Sequence, residues 1–217
     1  YMTFLDTILD FIFPVNCVSC GKKGQDFCLS CLYESRIAER ETNHWIYPVF
    51  DYRHPPIKKA IWLLKYKGKR RIAEIFGEVL YGKIMEELSE LSMFENLRDP
   101  ILIPIPLSSK RLRERGFNQA LLICEKIKSL DKENIFTLET KILIKPKDTK
   151  HQAQIENRNE RLKNLIGSFA IQHPEKIQGR NIILIDDVTT TGATFAEAKK
   201  ILKSHGAKKV IAFAVAH

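Results

Sequence analysis

The sequence predicts an α/β fold: a type of mainly parallel sheet with flanking helices, preceded by a small N-terminal four-cysteine module. Three observations carry this reading. Short, continuously apolar runs (Ile101–Ile105, Ile182–Ile185 and Val210–Val215) have the pattern of strands buried on both faces. Between them, apolar residues recur at intervals of three and four, the period of a helix with one buried face. Four cysteines fall in two close pairs within residues 17–31.

Taken in order, Phe4, Leu5, Ile8, Leu9 and Ile12 share one side of a short amphipathic helix that Pro14 ends. Asp6 and Asp10 interrupt that stretch and no basic start precedes it, which argues against a signal peptide. Residues 14–33 form the cysteine module and 34–44 a polar connector, giving expected units of 1–44 and 45–217. Tyr47–Tyr52 has strand character, and Ile57, Ala60, Ile61 and Leu64 mark a helix. Ile72, Ile75, Phe76, Val79, Leu80, Ile84, Leu88 and Leu91 predict a long amphipathic helix, stopped by Asp99-Pro100. Phe117, Ala120, Leu121, Cys124, Ile127 and Leu130 give another helix face, and Ile142–Ile144 a strand. A short charged helix is expected over 157–165. The last unit is a strand at 182–185, a helix over 193–204 with Gly206 at its C-terminal cap, and a strand at 210–215.

The chain of 217 residues is 44% apolar, enough for one α/β domain with its own core plus an appendage. No run approaches the roughly 18–20 apolar residues of a membrane span. Net charge is +9. Residues 1–44 hold four basic against six acidic side chains, so the surplus belongs to the main domain. A basic domain of this kind points to polyanionic partners such as nucleic acid or phosphorylated metabolites.

The expected compartment is cytoplasmic and reducing, where paired cysteines favour metal over disulfide. Cys17-x2-Cys20 and Cys28-x2-Cys31 match the ligand pattern of a four-thiolate structural zinc site. Two disulfides or a redox pair are the alternatives, and neither suits the expected compartment. All four thiols would be spent on the metal, so the site is read as structural. Cys124 lies on an apolar helix face and reads as a core thiol.

The string Asp186-Asp187-Val188-Thr189-Thr190-Thr191-Gly192-Ala193-Thr194 joins a buried strand to a helix. Ligands of open α/β sheets bind at the carboxyl ends of strands. A loop feeding a helix N-terminus offers unpaired N–H groups and a positive dipole end to a phosphate. Thr190, Thr191 and Thr194 add hydroxyls, and Gly192 allows a close turn. Phosphate alone does not account for Asp186 and Asp187; sugar hydroxyls or a bound divalent cation would. A capped helix with incidental acids would explain Asp-Asp alone but not the complete string. The strand at 101–105 runs into Ser108-Ser109-Lys110-Arg111, whose basic density suits a second anionic group; a solvated helix start is the alternative.

The string 182–194 resembles the signature of the type I phosphoribosyltransferases, although Thr189 stands where that family has an apolar or aromatic residue. The resemblance implies 5-phosphoribosyl pyrophosphate as ligand, with Mg²⁺. Asp186 and Asp187 would face the ribose hydroxyls, residues 190–194 would hold the 5-phosphate, and Val188 and Thr189 would complete the ligand-binding segment. Ser108, Ser109, Lys110 and Arg111 would form the pyrophosphate loop, with Lys110 and Arg111 stabilising the leaving group. A mobile loop within 145–163 would bring Lys147, Lys150 and Arg158 to the pyrophosphate and line itself with Gln152 and Gln154.

Eight basic residues lie between Arg53 and Arg71 with Tyr52, Trp62 and Tyr66 interleaved and no acid among them. Such a segment suits single-stranded nucleic acid, the hood over the ligand's sugar ring, or a solvated basic face. The cysteine module ahead of this core, with Leu64-Lys65-Tyr66-Lys67-Gly68 and Arg111-Leu112-Arg113-Glu114-Arg115-Gly116-Phe117-Asn118-Gln119, resembles the ComF family of competence-associated proteins. That implies a role in natural transformation, with single-stranded DNA or DNA-handling competence proteins as partners. The core would act as a transferase on an acceptor these motifs do not define, or as a ligand sensor or DNA-binding module.

Overall fold

The computed structural model describes residues 15–39, 43–94, 98–146 and 167–217. The expected N-terminal helix over 4–12, the helix over 157–165, and Lys147, Lys150, Gln152, Gln154 and Arg158 lie outside the described residues. The elements are α1 (Leu29–Tyr33), β1 (Ile46–Phe50), α2 (Pro55–Lys67), α3 (Arg71–Phe94), β2 (Ile101–Pro104), α4 (Ser109–Arg115), α5 (Gln119–Leu130), β3 (Thr137–Leu138), β4 (Leu143–Ile144), β5 (Ala170–Ile171), β6 (Asn181–Val188), α6 (Ala193–Ser204) and β7 (Lys209–Ala216).

Five strands form one sheet in the order β1-β7-β6-β2-β3, and every neighbouring pair is parallel. Parallel strands need crossover connections, and α2 to α6 supply them on both faces. Side-chain alternation separates two apolar layers. Ile183, Ile185, Ile211 and Phe213 face α2, α3 and α5, whereas Ile182, Leu184, Val210 and Ala212 face α6 and the small β4-β5 sheet. The buried runs at 182–185 and 210–215 are thus apolar on both faces because both faces are covered.

The run at 142–144 behaves differently from the other apolar runs. Only Leu143–Ile144 is a strand, and it pairs antiparallel with Ala170–Ile171 outside the main sheet. It is short because Pro146 follows within two residues and offers no N–H for a ladder. Among the described residues no helix is long and apolar enough to cross a membrane.

The cysteine module is packed against the sheet domain. Cys17, Val18, Phe27, Cys28, Cys31 and Leu32 join the same apolar layer as α2. Ile57, Ala60, Ile61 and Leu64 of α2 are fully buried, with each large aliphatic chain contributing about 1.5–3 kcal/mol on removal from water. Lys59 of α2 donates from Nζ to the carbonyl of Val18 at 3.0 Å. Pro55 and Pro56 start the helix where missing N–H groups cost nothing, and Lys65 and Lys67 sit in its last turn, where cations are favoured.

Candidate ligand-binding site

A cavity of about 360 Å³ opens at the carboxyl ends of β6 and β2. Its floor is the turn from β6 to α6. Asp186, Asp187 and residues 188–194 all line it, so the acids and the hydroxyl-rich loop share one space. Gly192, at φ 69°, makes the left-handed turn into α6, a conformation that costs a residue with a Cβ. Thr189 is buried and donates its backbone N–H to the carbonyl of Ala216 at 2.9 Å, tying the loop to β7. A polar residue is accommodated there because the backbone holds the turn. His217 donates from Nε2 to the carbonyl of Thr190 at 2.7 Å and braces the loop from the other side.

The two acids are not equivalent. Burial and then the charge of Asp187 push the Asp186 carboxyl well above the usual carboxylate range, which Lys65 offsets only in part. Burial would raise Asp187 as well, but the charge and hydrogen bond of Lys65, helped by Asp186 and Gln119, hold it below that range. The Nζ of Lys65 lies 2.7 Å from Oδ2 of Asp187. Gln119 donates from Nε2 to Oδ1 at 3.3 Å, and Arg115 donates to Oε1 of Gln119 at 2.6 Å. Asp186 accepts the backbone N–H of Asp187 at 2.8 Å. Burial therefore favours the neutral form of Asp186, while Lys65 favours the ionised form of Asp187.

The β2 side supplies Arg111, which lines the cavity with Pro106 and Leu107. Ser108 is buried and caps α4, its Oγ accepting from the backbone N–H of Arg111 at 3.4 Å. Ser109 and Lys110 are exposed on α4 and are not among the cavity-lining residues. Of the four residues expected in the pyrophosphate loop, Arg111 alone presents itself to the cavity in this state. Asn118 caps α5 and donates to the carbonyl of Ile105 at 3.0 Å, so it orients the β2 loop.

The basic stretch 53–71 does not form one face. Lys59 reaches the cysteine module, Lys65 enters the cavity, Lys69 pairs with Asp26 at 3.0 Å, and Arg70 lies 5.0 Å from the ring centre of Phe117. Trp62 and Tyr66 line the cavity mouth at 46% and 55% exposure, with Lys67 and Arg115 placed over their rings. Lys65 and Gln119 fall within the strings that carry the family resemblance, but the sequence reading assigns neither to the ligand site. The available signal was the spacing 61/62/65/66, which puts Ile61, Trp62, Lys65 and Tyr66 on one helical stripe.

The second candidate site is the cysteine cluster. The four Sγ atoms of Cys17, Cys20, Cys28 and Cys31 lie within 4.8 Å of one another, and those of Cys20 and Cys28 are 3.7 Å apart. A tetrahedral zinc with four thiolates requires sulfur separations of about 3.8 Å, so the cluster fits such an ion. Cys28 donates its backbone N–H to Sγ of Cys17 at 3.4 Å. Burial would raise the Cys17 thiol, but the N–H groups of Cys20, Cys28 and Ser19 outweigh it and bring it down to about 6. Ser19 acts downward on Cys31, yet Cys28, burial, Cys20 and Cys17 push it up to about 12. Four sulfurs this close cannot all ionise without a cation among them. Cys124, by contrast, is fully buried on α5 and raised by burial, as expected of a core thiol.

Comparison with known proteins decides the family. The phosphoribosyl transferase domain model matches residues 133–217. The DNA utilization protein YhgH of Escherichia coli strain K12 is 31% identical over 162 residues, 75% of this chain and 67% of that protein. The chain is a ComF-family protein. The competence protein ComFC of Streptococcus pneumoniae is 29% identical over 218 residues, covering 97% of this chain and 84% of the relative. Among solved structures, a hypoxanthine phosphoribosyl transferase of Trypanosoma cruzi aligns at a TM-score of 0.40 and 8% identity, over 65% of this chain and 63% of that one. That likeness is too slight to bear on ligand or reaction. Within the ComF family, the match joins a phosphoribosyltransferase-type core to a competence or DNA utilization protein, with a four-cysteine cluster able to hold a metal ion.

Proposed function

We propose that this ComF protein binds 5-phosphoribosyl pyrophosphate with Mg²⁺ in the β6–α6 cavity and transfers the phosphoribosyl group to an acceptor during DNA uptake. The observation that carries the reading is the shared cavity: two carboxylates of opposite tendency beside a phosphate-type turn, with Arg111 at the neighbouring strand end. The turn from Thr190 to Thr194 and the N-terminus of α6 hold the 5-phosphate. Asp186, the less buried of the two acids, exchanges hydrogen bonds with the ribose hydroxyls, and Asp187 fixes the Lys65 ammonium beside them. In the reaction, the C1–O bond to pyrophosphate breaks, pyrophosphate leaves with the electron pair, and the acceptor atom bonds to C1 and releases its proton to water. Arg111 offsets charge on the departing group, with Lys110, Lys147, Lys150 and Arg158 as further candidates. Mg²⁺, when bound with the ligand, adds Lewis-acid stabilisation of the pyrophosphate. The cysteine cluster holds a structural zinc and takes no part in the chemistry.

Titration calorimetry with phosphoribosyl pyrophosphate and Mg²⁺ tests the ligand. Saturable one-site binding is expected, weakened at least tenfold in Asp187→Asn. Absence of binding to the native chain refutes the assignment. Transformation frequency in a strain carrying Asp186→Asn and Asp187→Asn tests the cellular role and is expected to fall.

A second reading is favoured by Trp62 and Tyr66, whose exposed rings with adjacent cations suit stacking of bases from single-stranded DNA. In that case the ligand pocket acts as a sensor. Binding of an oligonucleotide should then weaken steeply with salt and with Trp62→Ala. A flat salt response removes this reading.

A further inference from the structure

We propose that Lys65 is a ligand-site residue whose built-in ammonium balances the acid pair, so that the cavity holds the ribose 5-phosphate end of its ligand without a divalent cation at the acids. The inference rests on the phosphoribosyl reading of the cavity and concerns what that reading leaves open: which cation sits at the carboxylates.

Two adjacent carboxylates next to a phosphate-binding turn repel each other and the ligand. Three things can relieve this: a proton, a metal ion or a protein cation. The fold provides the third. Lys65 lies on the stripe of α2 that carries Ile61, Trp62 and Tyr66 to the cavity, and its Nζ is 2.7 Å from Oδ2 of Asp187. Both members of the pair are largely enclosed, with side chains 19% and 3% exposed, and both line the cavity. The other oxygen, Oδ1, accepts from Gln119, which Arg115 in turn holds. Oδ2 of Asp187 is thus in ion-pair contact with Lys65, and Oδ1 accepts a hydrogen bond from Gln119.

A divalent ion at Asp187 would need one of those oxygens in its coordination sphere. The ammonium already occupies that approach at contact distance. Among the described residues, the charged groups that line the cavity are Lys65 on α2, Arg111 and Arg115 on α4, Lys145 after β4, and the two acids on β6. The acids therefore share the cavity with four cations, of which Lys65 is in direct contact. A cation-rich frame of this kind accepts a phosphorylated sugar with no added metal. Mg²⁺ is left to the pyrophosphate of the complete ligand.

The probe is ribose 5-phosphate, which lacks the pyrophosphate, titrated by calorimetry into the full chain in Chelex-treated, magnesium-free buffer and again with Mg²⁺. The native protein is expected to bind it within about twofold in the two buffers. Lys65→Met is expected to weaken binding at least tenfold without Mg²⁺ and to regain part of it when Mg²⁺ is added. Lys65→Arg should keep most of the native affinity. Thermal unfolding of each variant identifies any that fail to fold, and the native comparison needs no variant. Native binding that falls more than tenfold without Mg²⁺ overturns the proposal, as does Lys65→Met binding like the native chain. If phosphoribosyl pyrophosphate with Mg²⁺ binds but ribose 5-phosphate requires the metal, the role of Lys65 alone is refuted. If neither compound binds under any condition, the reading of the cavity fails with it.

Discussion

The Nζ of Lys69 lies 3.0 Å from Oδ1 of Asp26, across the seam between the cysteine module and the turn that joins α2 to α3. The Asp26 side chain is 3% exposed and that of Lys69 44%. Removing the cation leaves a carboxylate out of reach of bulk water. Fully buried pairs lose about 3–5 kcal/mol on such a change, and the exposure of Lys69 reduces this. Lys69→Met is expected to destabilise the protein by about 1–2 kcal/mol in denaturant unfolding, with Asp26→Asn costing less than Lys69→Met.

Gly77 is a point of close approach between α3 and α5. A Cβ at this position would stand 2.6 Å from Cβ and Cγ of Lys126 and 3.1 Å from the carbonyl oxygen of Ile123. These atoms belong to the body of α5 and cannot swing aside as a side-chain tip would. Gly77→Ala gains helix propensity of about 1 kcal/mol yet forces the helices apart, so a net loss of about 1–2 kcal/mol is expected. An unchanged or raised melting temperature would show that α3 and α5 can slide.

Asp131 ends α5 and accepts the backbone N–H groups of Ile135 and Phe136 at 2.8 and 2.9 Å, with Lys128 at 2.9 Å. Burial would raise its carboxyl, but Lys128 and the two N–H groups outweigh it and hold it below the usual value. A group lowered on folding stabilises the protein above its unfolded pKa, about 3.9, and loses that contribution as pH falls through the lower folded value. Asp131→Asn should therefore cost about 1–3 kcal/mol at pH 7, and the gap from the native chain should narrow below pH 4. A pH-independent difference would contradict this account.

Metal removal is expected to act on both the module and the cavity. One zinc per chain is expected by elemental analysis. Chelation should lower the melting temperature, and Cys20→Ser, which removes the exposed member of the cluster, should mimic it. A chelated protein with unchanged melting temperature and unchanged Trp62 fluorescence would refute a structural role.

The order β6, acid pair, loop, α6 was legible in the residues because each step has its own chemistry. Ile182–Ile185 is apolar on both faces, Gly192 must turn left-handed, and α6 spans the expected 193–204. The cysteine pairs were legible through spacing alone. What stayed hidden depends on tertiary placement. Lys65 belonged to a basic run whose members part company only once α2 is wedged between two neighbours. Ser109 and Lys110 looked like phosphate ligands by position, but α4 begins early under the Ser108 cap and turns them outward. Gln119 carried no charge to mark it, and its value comes from lying opposite Asp187 across 68 positions of chain.

One helix, α2, is the common wall of two chambers. Lys59 grips the carbonyl of Val18 on one side while Lys65, less than two turns further on, grips Asp187 on the other. A rigid rod of 13 residues passes displacement along its length with little loss. Any slackening of the cysteine module is therefore expected to reach the β6 cavity as a shift of one ammonium. A scaffold without the cysteine module would lose one of the contacts that fix α2, the helix that delivers Lys65 to Asp187.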